Sequence, residues 1–424
     1  MKEDPMRPFR VMFILAAVIA LAGFGNAYAF HSGGVAECGG CHSMHSADPA
    51  GTNLLIGPDS SSTCLSCHQQ AGLLTPSSYH ISTASADMPL GTAPRQRTPG
   101  GDFGWLKKDY SFTVRGTTTA EAGQTHGHNI IAAGASYGYV ADTDNPTAPG
   151  GSYPDAQLGC ASCHNPHGKY RRLPNGTIST SGGVIVASGS YNNSVDPAAG
   201  QAVGVYRLLN GNGFATDGVT FLGNPSAVAP STYNQSEAVN MVRVAYGTIS
   251  TTGHENFGTW CATCHGDMHS NGGNYVHPVD TTLSGLATTY DSYVKSGDLT
   301  GSHSTSFQSL VPFAKGGTVT DYAGLRGLSS NTNAVLDGPV GSDQVTCLSC
   351  HRAHASGFPE MLRWNMEGEF MTYNGAYPGT DNGAPVQFAR GRTSTEMLAA
   401  YYDQPATKWA TYQRVLCNKC HAQD

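Results

Sequence analysis

Apolar and polar positions along this chain seldom settle into a regular period. Three stretches come closest to a helix. In residues 234–246, Asn234 reads as an N-cap with Glu237 three places on, and Ala238, Met241, Val242 and Ala245 share one face. Residues 393–402 open on Thr393-x-x-Glu396, a capping-box signature. Residues 408–416 form a third candidate, leading directly into a cysteine pair. Gly183-Val184-Ile185-Val186 reads as a short β-like piece. No sustained heptad, Rossmann glycine pattern or P-loop occurs. The pattern predicts a mostly irregular, coil-rich chain with a few short α-helices and very little β.

One apolar run stands apart, at residues 11–24. It follows the basic residues Lys2, Arg7 and Arg10, and Ala27-Tyr28-Ala29 supplies a small-x-small cleavage site. Residues 1–29 are therefore expected to be a cleaved secretion signal, since the run is short for a bilayer span. Residues 30–424 would be the mature protein, with no membrane span.

Composition sharpens this picture. The chain carries 53 Gly and 23 Pro but only 12% charged residues, which favours turns over long elements. The formal charge of −7 becomes −8 once the leader's three basic and two acidic residues are lost, and nothing favours nucleic-acid binding. The stretch 69–157 is long for a loop in a compact domain and needs a purpose.

Candidate chemistry supplies that purpose. All 12 cysteines lie in six Cys-x-x-Cys-His pentapeptides. These are Cys38, Cys41, His42; Cys64, Cys67, His68; Cys160, Cys163, His164; Cys261, Cys264, His265; Cys347, Cys350, His351; and Cys417, Cys420, His421. A lone Cys-x-x-Cys fits half a zinc site, a redox dithiol or a disulfide, but none of these requires the following His. With 17 His in 424 residues, six such placements by chance have odds on the order of one in 10⁸. The pentapeptide is the attachment site of c-type haem: two thiols bind the porphyrin edge and the adjacent imidazole reaches the iron. Six haems with their irons follow. Each brings a large apolar plate, so residues 30–424 read as one continuous unit, loosely 30–233 with haems one to three and 234–424 with haems four to six.

Every iron also needs a sixth ligand. Of the eleven other histidines, eight have suggestive positions: His31, His45, His80, His128, His167, His269, His277 and His354. His45, His167 and His354 follow a motif histidine by three residues and His269 by four, too close to fold back onto their own iron. They are expected to reach adjacent haems. His126, His254 and His303 lack such context and read as surface histidines. Which six of the eight serve stays open. Arg95, Arg97, Arg115, Lys169, Arg171, Arg172, Arg207 and Arg243 are candidate partners for haem propionates, with Arg171 and Arg172 favoured because they closely follow a motif.

The segments FHSGGVAEC, PSSYHIS, TPGGDFGW, GHNI, CHNPHGKYRR, CLSCHRAHASGF and YQRVLCNKCHA carry a resemblance that spans essentially the whole mature chain. It is similar to the secreted hexahaem outer-surface cytochromes of metal-reducing bacteria. That resemblance implies head-to-tail polymerisation into extracellular filaments with a continuous haem file. It further implies bis-His ligation throughout, with one distal ligand crossing the subunit boundary. The matching position is His45, which would bind the haem of His351 in the next subunit.

The expected role is extracellular electron transfer by the repeating subunit of a conductive filament. Electrons would arrive from upstream cytochromes and leave to metal oxides or partner cells. A discrete periplasmic or outer-surface carrier has the same haem chemistry. A multihaem reductase is disfavoured, because catalysis needs an open iron and distal histidines are in surplus; no enzymatic role is expected.

Overall fold

The computed structural model describes residues 38–43, 54–70, 79–134, 136–249, 256–269, 278–317 and 319–421. Residues 1–29, the expected secretion signal, lie outside them. Regular elements are short: the longest helix among the described residues is Ser60–His68. Its first turn is fixed by Asp59, whose carboxylate accepts from the Ser62 amide at 2.6 Å.

Short strands gather into five small sheets among the described residues. One contains Val184–Ile185, within the stretch expected to be β-like, paired in parallel with Gln201–Gly204. Capping holds at the C-terminal end. Thr393 caps the helix Ser394–Ala400, and Glu396 reaches back to the Thr393 amide at 2.9 Å.

Two expected helices are not formed. In 234–246 the backbone is irregular and then extended, ending in the strand Ala245–Gly247, which joins Ser226–Val228 and Ala314–Lys315. Val242, Val244 and Tyr246 enter one cluster while Ala245 enters another. That alternation is the period of a strand, and it prevails over the i, i+3 pattern. Asn234 caps nothing: it accepts from the Arg97 amide at 2.7 Å and donates to Gln96 at 2.7 Å. In 408–416, the fully buried Gln413 amide bridges Tyr293 Oη at 2.6 Å and the Ser296 amide at 3.0 Å. Such cross-chain bonds require an unwound backbone, and only the one-turn segments Ala406–Lys408 and Leu416–Lys419 flank it.

Apolar packing is divided among several clusters. The largest runs from Trp105 to Leu416 and includes Cys350, Cys417 and Cys420 at its margin. A second collects Tyr206, Tyr233, Val244, Tyr246 and Phe257. Among the described residues, no helix is long and apolar enough to cross a membrane.

A file of cysteine-histidine turns and paired imidazoles

Each pentapeptide forms one helical or near-helical turn. The histidine amide bonds back to the first cysteine carbonyl in five of them: His42 to Cys38 at 2.8 Å, His164 to Cys160 at 2.9 Å, His265 to Cys261 at 3.1 Å, and His351 to Cys347 and His421 to Cys417, each at 3.0 Å. His68 lies within a longer helix with Cys64 and Cys67. Residues at i, i+3 and i+4 share one face of such a turn. Two thiols and an imidazole are thus presented together.

The motif imidazoles are oriented by carbonyl oxygens. Nδ1 of His68 lies 2.6 Å from Tyr79 O, that of His164 2.7 Å from Arg207 O, that of His265 2.8 Å from Pro149 O, and that of His351 2.6 Å from Glu360 O. A carbonyl can only accept, so Nδ1 carries the proton and Nε2 keeps its lone pair. This is the tautomer an iron requires.

Opposite these rings stand others. His42 faces His167, with ring centres 6.1 Å apart and planes at 14°. His265 faces His128 at 6.1 Å, and His164 faces His354 at 6.3 Å. Two metal–imidazole bonds of about 2 Å on one line set ring centres about 6 Å apart. His80 is buried within electrostatic reach of His68 and leans on Tyr79 at 4.4 Å. Burial foremost, then His265, lowers His128 to about 4; burial and then His164 lower His354 to about 3. Both rings are neutral at neutral pH, as ligation demands.

Local backbone explains how two of these facing rings are delivered. The His128 amide donates to His354 O at 2.9 Å, and the His354 amide donates to Gly100 O at 2.7 Å. Gly101 makes this approach possible. Its φ is +94°, and a Cβ would run into the Ala355 carbonyl. Phe103 then stacks on His354 at 4.6 Å. The long stretch 69–157 therefore supplies His80 and His128 and seats His354.

Consecutive motifs also adjoin. Cys41 lies within reach of Cys67, Cys163 of Cys264, and Cys350 of Cys417 and Cys420. Between them, Cys64 adjoins Cys160 and Cys261 adjoins Cys347. The spatial order is the sequence order. Junctions through second cysteines alternate with junctions through first cysteines.

Other sequence candidates fare differently. His269 directs Nε2 at Asp280, 2.9 Å away, and faces no motif imidazole in this arrangement. His31, His45 and His277 lie outside the described residues, as does His254. His303 is exposed and pairs with Asp291. His126 is not a surface residue: it is fully buried, with Nε2 on Glu121 at 2.8 Å and Nδ1 on Trp105 O at 3.1 Å. A carboxylate five residues earlier was the sequence signal for that placement. Arg171 and Arg172 are engaged elsewhere, on Gly183 O at 3.1 Å and on Asp196 at 2.9 Å.

No protein-family model matches the chain. It is 49% identical to the C-type cytochrome OmcS of Geobacter sulfurreducens, over 98% of this chain and 99% of that protein. Its fold is similar to OmcS nanowires from that organism solved by cryo-electron microscopy, with a TM-score of 0.84, covering 93% of this chain and 100% of the other. An outer membrane cytochrome S filament from the same organism gives the same TM-score at 48% identity. Turns that present two thiols and an imidazole, and imidazoles paired at the spacing of one iron, fit covalently bound haem. The chain belongs to the family of the C-type cytochrome OmcS.

Proposed function

We propose that this protein is the repeating subunit of an extracellular cytochrome filament that carries electrons along six c-type haems. Haem bound there would supply one-electron transfer at each iron. The chain's own residues hold the file: the twelve cysteines anchor it, and His42, His68, His164, His265, His351 and His421 are the proximal ligands. His167, His80, His354 and His128 serve as distal ligands of the first four irons in that order. The sixth iron takes His31 or His277.

The observation that carries the filament reading is a repeat of two motifs. His167, trailing motif three, faces His42 of motif one; His354, trailing motif five, faces His164 of motif three. Continued by one step, the rule brings His45, trailing motif one of the next copy, to His351 of motif five. The cysteine junctions continue in the same way, with Cys417 meeting Cys38 of the next copy. A heterologous contact of this kind does not close on itself and propagates as a fibre. A metal bond across it makes the junction strong and directional.

Two imidazoles on every iron leave no open position for a substrate, which favours electron transfer over catalysis. Export by residues 1–29 would deliver the subunit to the cell surface, with metal oxides or partner cells as acceptors. Electron microscopy of the purified haem-loaded protein tests the assembly. Continuous fibres are expected from the native chain and none from H45A. Fibres from H45A would remove the crossing ligand, and discrete particles from the native chain would favour a freely diffusing carrier.

A further inference from the structure

Two consecutive non-glycine residues with left-handed backbone occur at three places among the described residues. Two of the three, Arg207-Leu208 and Glu360-Met361, adjoin a motif histidine. Arg207 has φ 52° and ψ 26°, and Glu360 has φ 53° and ψ 25°. Leu208 and Met361 follow at φ 53° and 57°. Left-handed turns crowd the Cβ of an L-residue against the following carbonyl and persist only where the surroundings impose them.

The surroundings are the same both times. The first carbonyl of each pair accepts from a proximal imidazole, Arg207 O from His164 Nδ1 at 2.7 Å and Glu360 O from His351 Nδ1 at 2.6 Å. The second accepts from the amide just past the motif, Leu208 O from Asn165 at 2.6 Å and Met361 O from Arg352 at 2.8 Å. Two residues on, the Asn210 and Arg363 amides donate to Cys163 O and Cys350 O, each at 2.8 Å. Between these bonds the buried Leu209 and Leu362 bridge His164 and His351. Each strap therefore grips its motif at the second cysteine, the imidazole and the residue beyond. A helical turn aligns its successive carbonyls, so one turn meets both neighbouring donors.

Motif one repeats the device. Leu54 is left-handed at φ 56°, its carbonyl accepts from the Ser43 amide at 2.8 Å, and the Ile56 amide donates to Cys41 O at 3.0 Å, while Leu55 bridges His42. Motifs two and four lack it: Tyr79 O and Pro149 O orient His68 and His265 without a left-handed residue. The strap carbonyl comes 43 residues after His164 but 9 after His351, so no local turn sequence explains the recurrence. Resting on the proximal ligands assigned above, we infer that Leu54, Leu208 and Met361 are positioning residues for the first, third and fifth irons. Their left-handed backbone fixes the proximal imidazole of each. Donation from Nδ1 makes the imidazole a more basic ligand, which favours ferric iron and lowers its potential. The odd-numbered haems thus share one setting, which recurs every two motifs as the trailing histidines do.

The test compares L208V and M361V with L208G and M361G by spectroelectrochemical titration of the haem-loaded protein. Valine resists the left-handed region and glycine enters it freely. Both native side chains are neutral and half-buried, so neither change removes a charge. In each valine variant one haem's component should move to higher potential while every haem stays low-spin, and the glycine counterpart should follow the native curve. Valine curves that superimpose on the native one overturn the inference, as do valine and glycine variants that shift alike. Either result leaves the ligand assignment standing, whereas a native protein without haem at motif three or five would undo that assignment itself. Should the valine variants fail to load haem, a density map of the native protein decides. Arg207 O and Glu360 O within about 3 Å of the two Nδ1 atoms, on left-handed backbone, support the straps; carbonyls turned away overturn them.

Discussion

His167 lies parallel to His42, 14° between planes and 6.1 Å between centres, although the two belong to motifs three and one. A ring from motif three is thus set opposite the imidazole of motif one. This relationship predicts a local defect on substitution. H167A should leave one haem in six without its second imidazole, and electron paramagnetic resonance should register high-spin iron in about one sixth of the haem. An entirely low-spin spectrum would show that another residue serves the first iron.

Gly101 gives a backbone prediction. Its left-handed φ of +94° and its approach to the Ala355 carbonyl leave no room for a methyl group. G101A should destabilise the protein by more than about 1 kcal/mol. It should also loosen the segment that seats His354, so that a fraction of the third haem turns high-spin. Thermal unfolding read beside haem absorbance separates the two effects. An unchanged melting temperature would contradict the argument.

A pH dependence follows from Asp196. Bonds from Arg326, at 2.6 and 2.8 Å, and then Arg172 hold its carboxyl at about 2 against the effect of burial. Because the folded value is lowered from the ordinary 3.8, its stabilising contribution is complete above about pH 4. It fades as pH falls toward 2. The Asp196 side chain is 54% exposed, so solvent screens the interaction and D196N should cost less than about 1 kcal/mol at pH 7. Denaturant midpoints of native protein and D196N should converge between pH 4 and 2. A gap that widens on acidification would reverse the sign and refute the assignment.

Much of the candidate site could be read from sequence because covalent haem attachment leaves a rigid local signature. Two thiols and an imidazole must share a turn, and six pentapeptides announce six such turns. His45, His167, His269 and His354 were expected to serve other haems than their own; His167 faces His42 and His354 faces His164, whereas His269 turns to Asp280. The reach of His167 and His354 was not legible: they face motifs two places back, a distance set by how turns stack in space. The fold was legible in kind and less so in detail. Thr393 and Glu396 mark a real cap because both partners are local. Asn234 and Glu237 imitate one, but their side chains are drawn to Gln96, Ser309 and Gln404 across the chain. Where large cofactors organise the interior, such remote bonds outweigh local helix signals.

The central claim is that six haems form one file, in sequence order, that continues into the next copy. A cryo-electron microscopy map of the native haem-loaded assembly tests it most directly. The account predicts irons ordered one to six, His167 on the first, His354 on the third, and His45 of the next copy on the fifth. A map in which His351 takes its partner from its own chain, or in which His167 and His354 lie away from those irons, would contradict it.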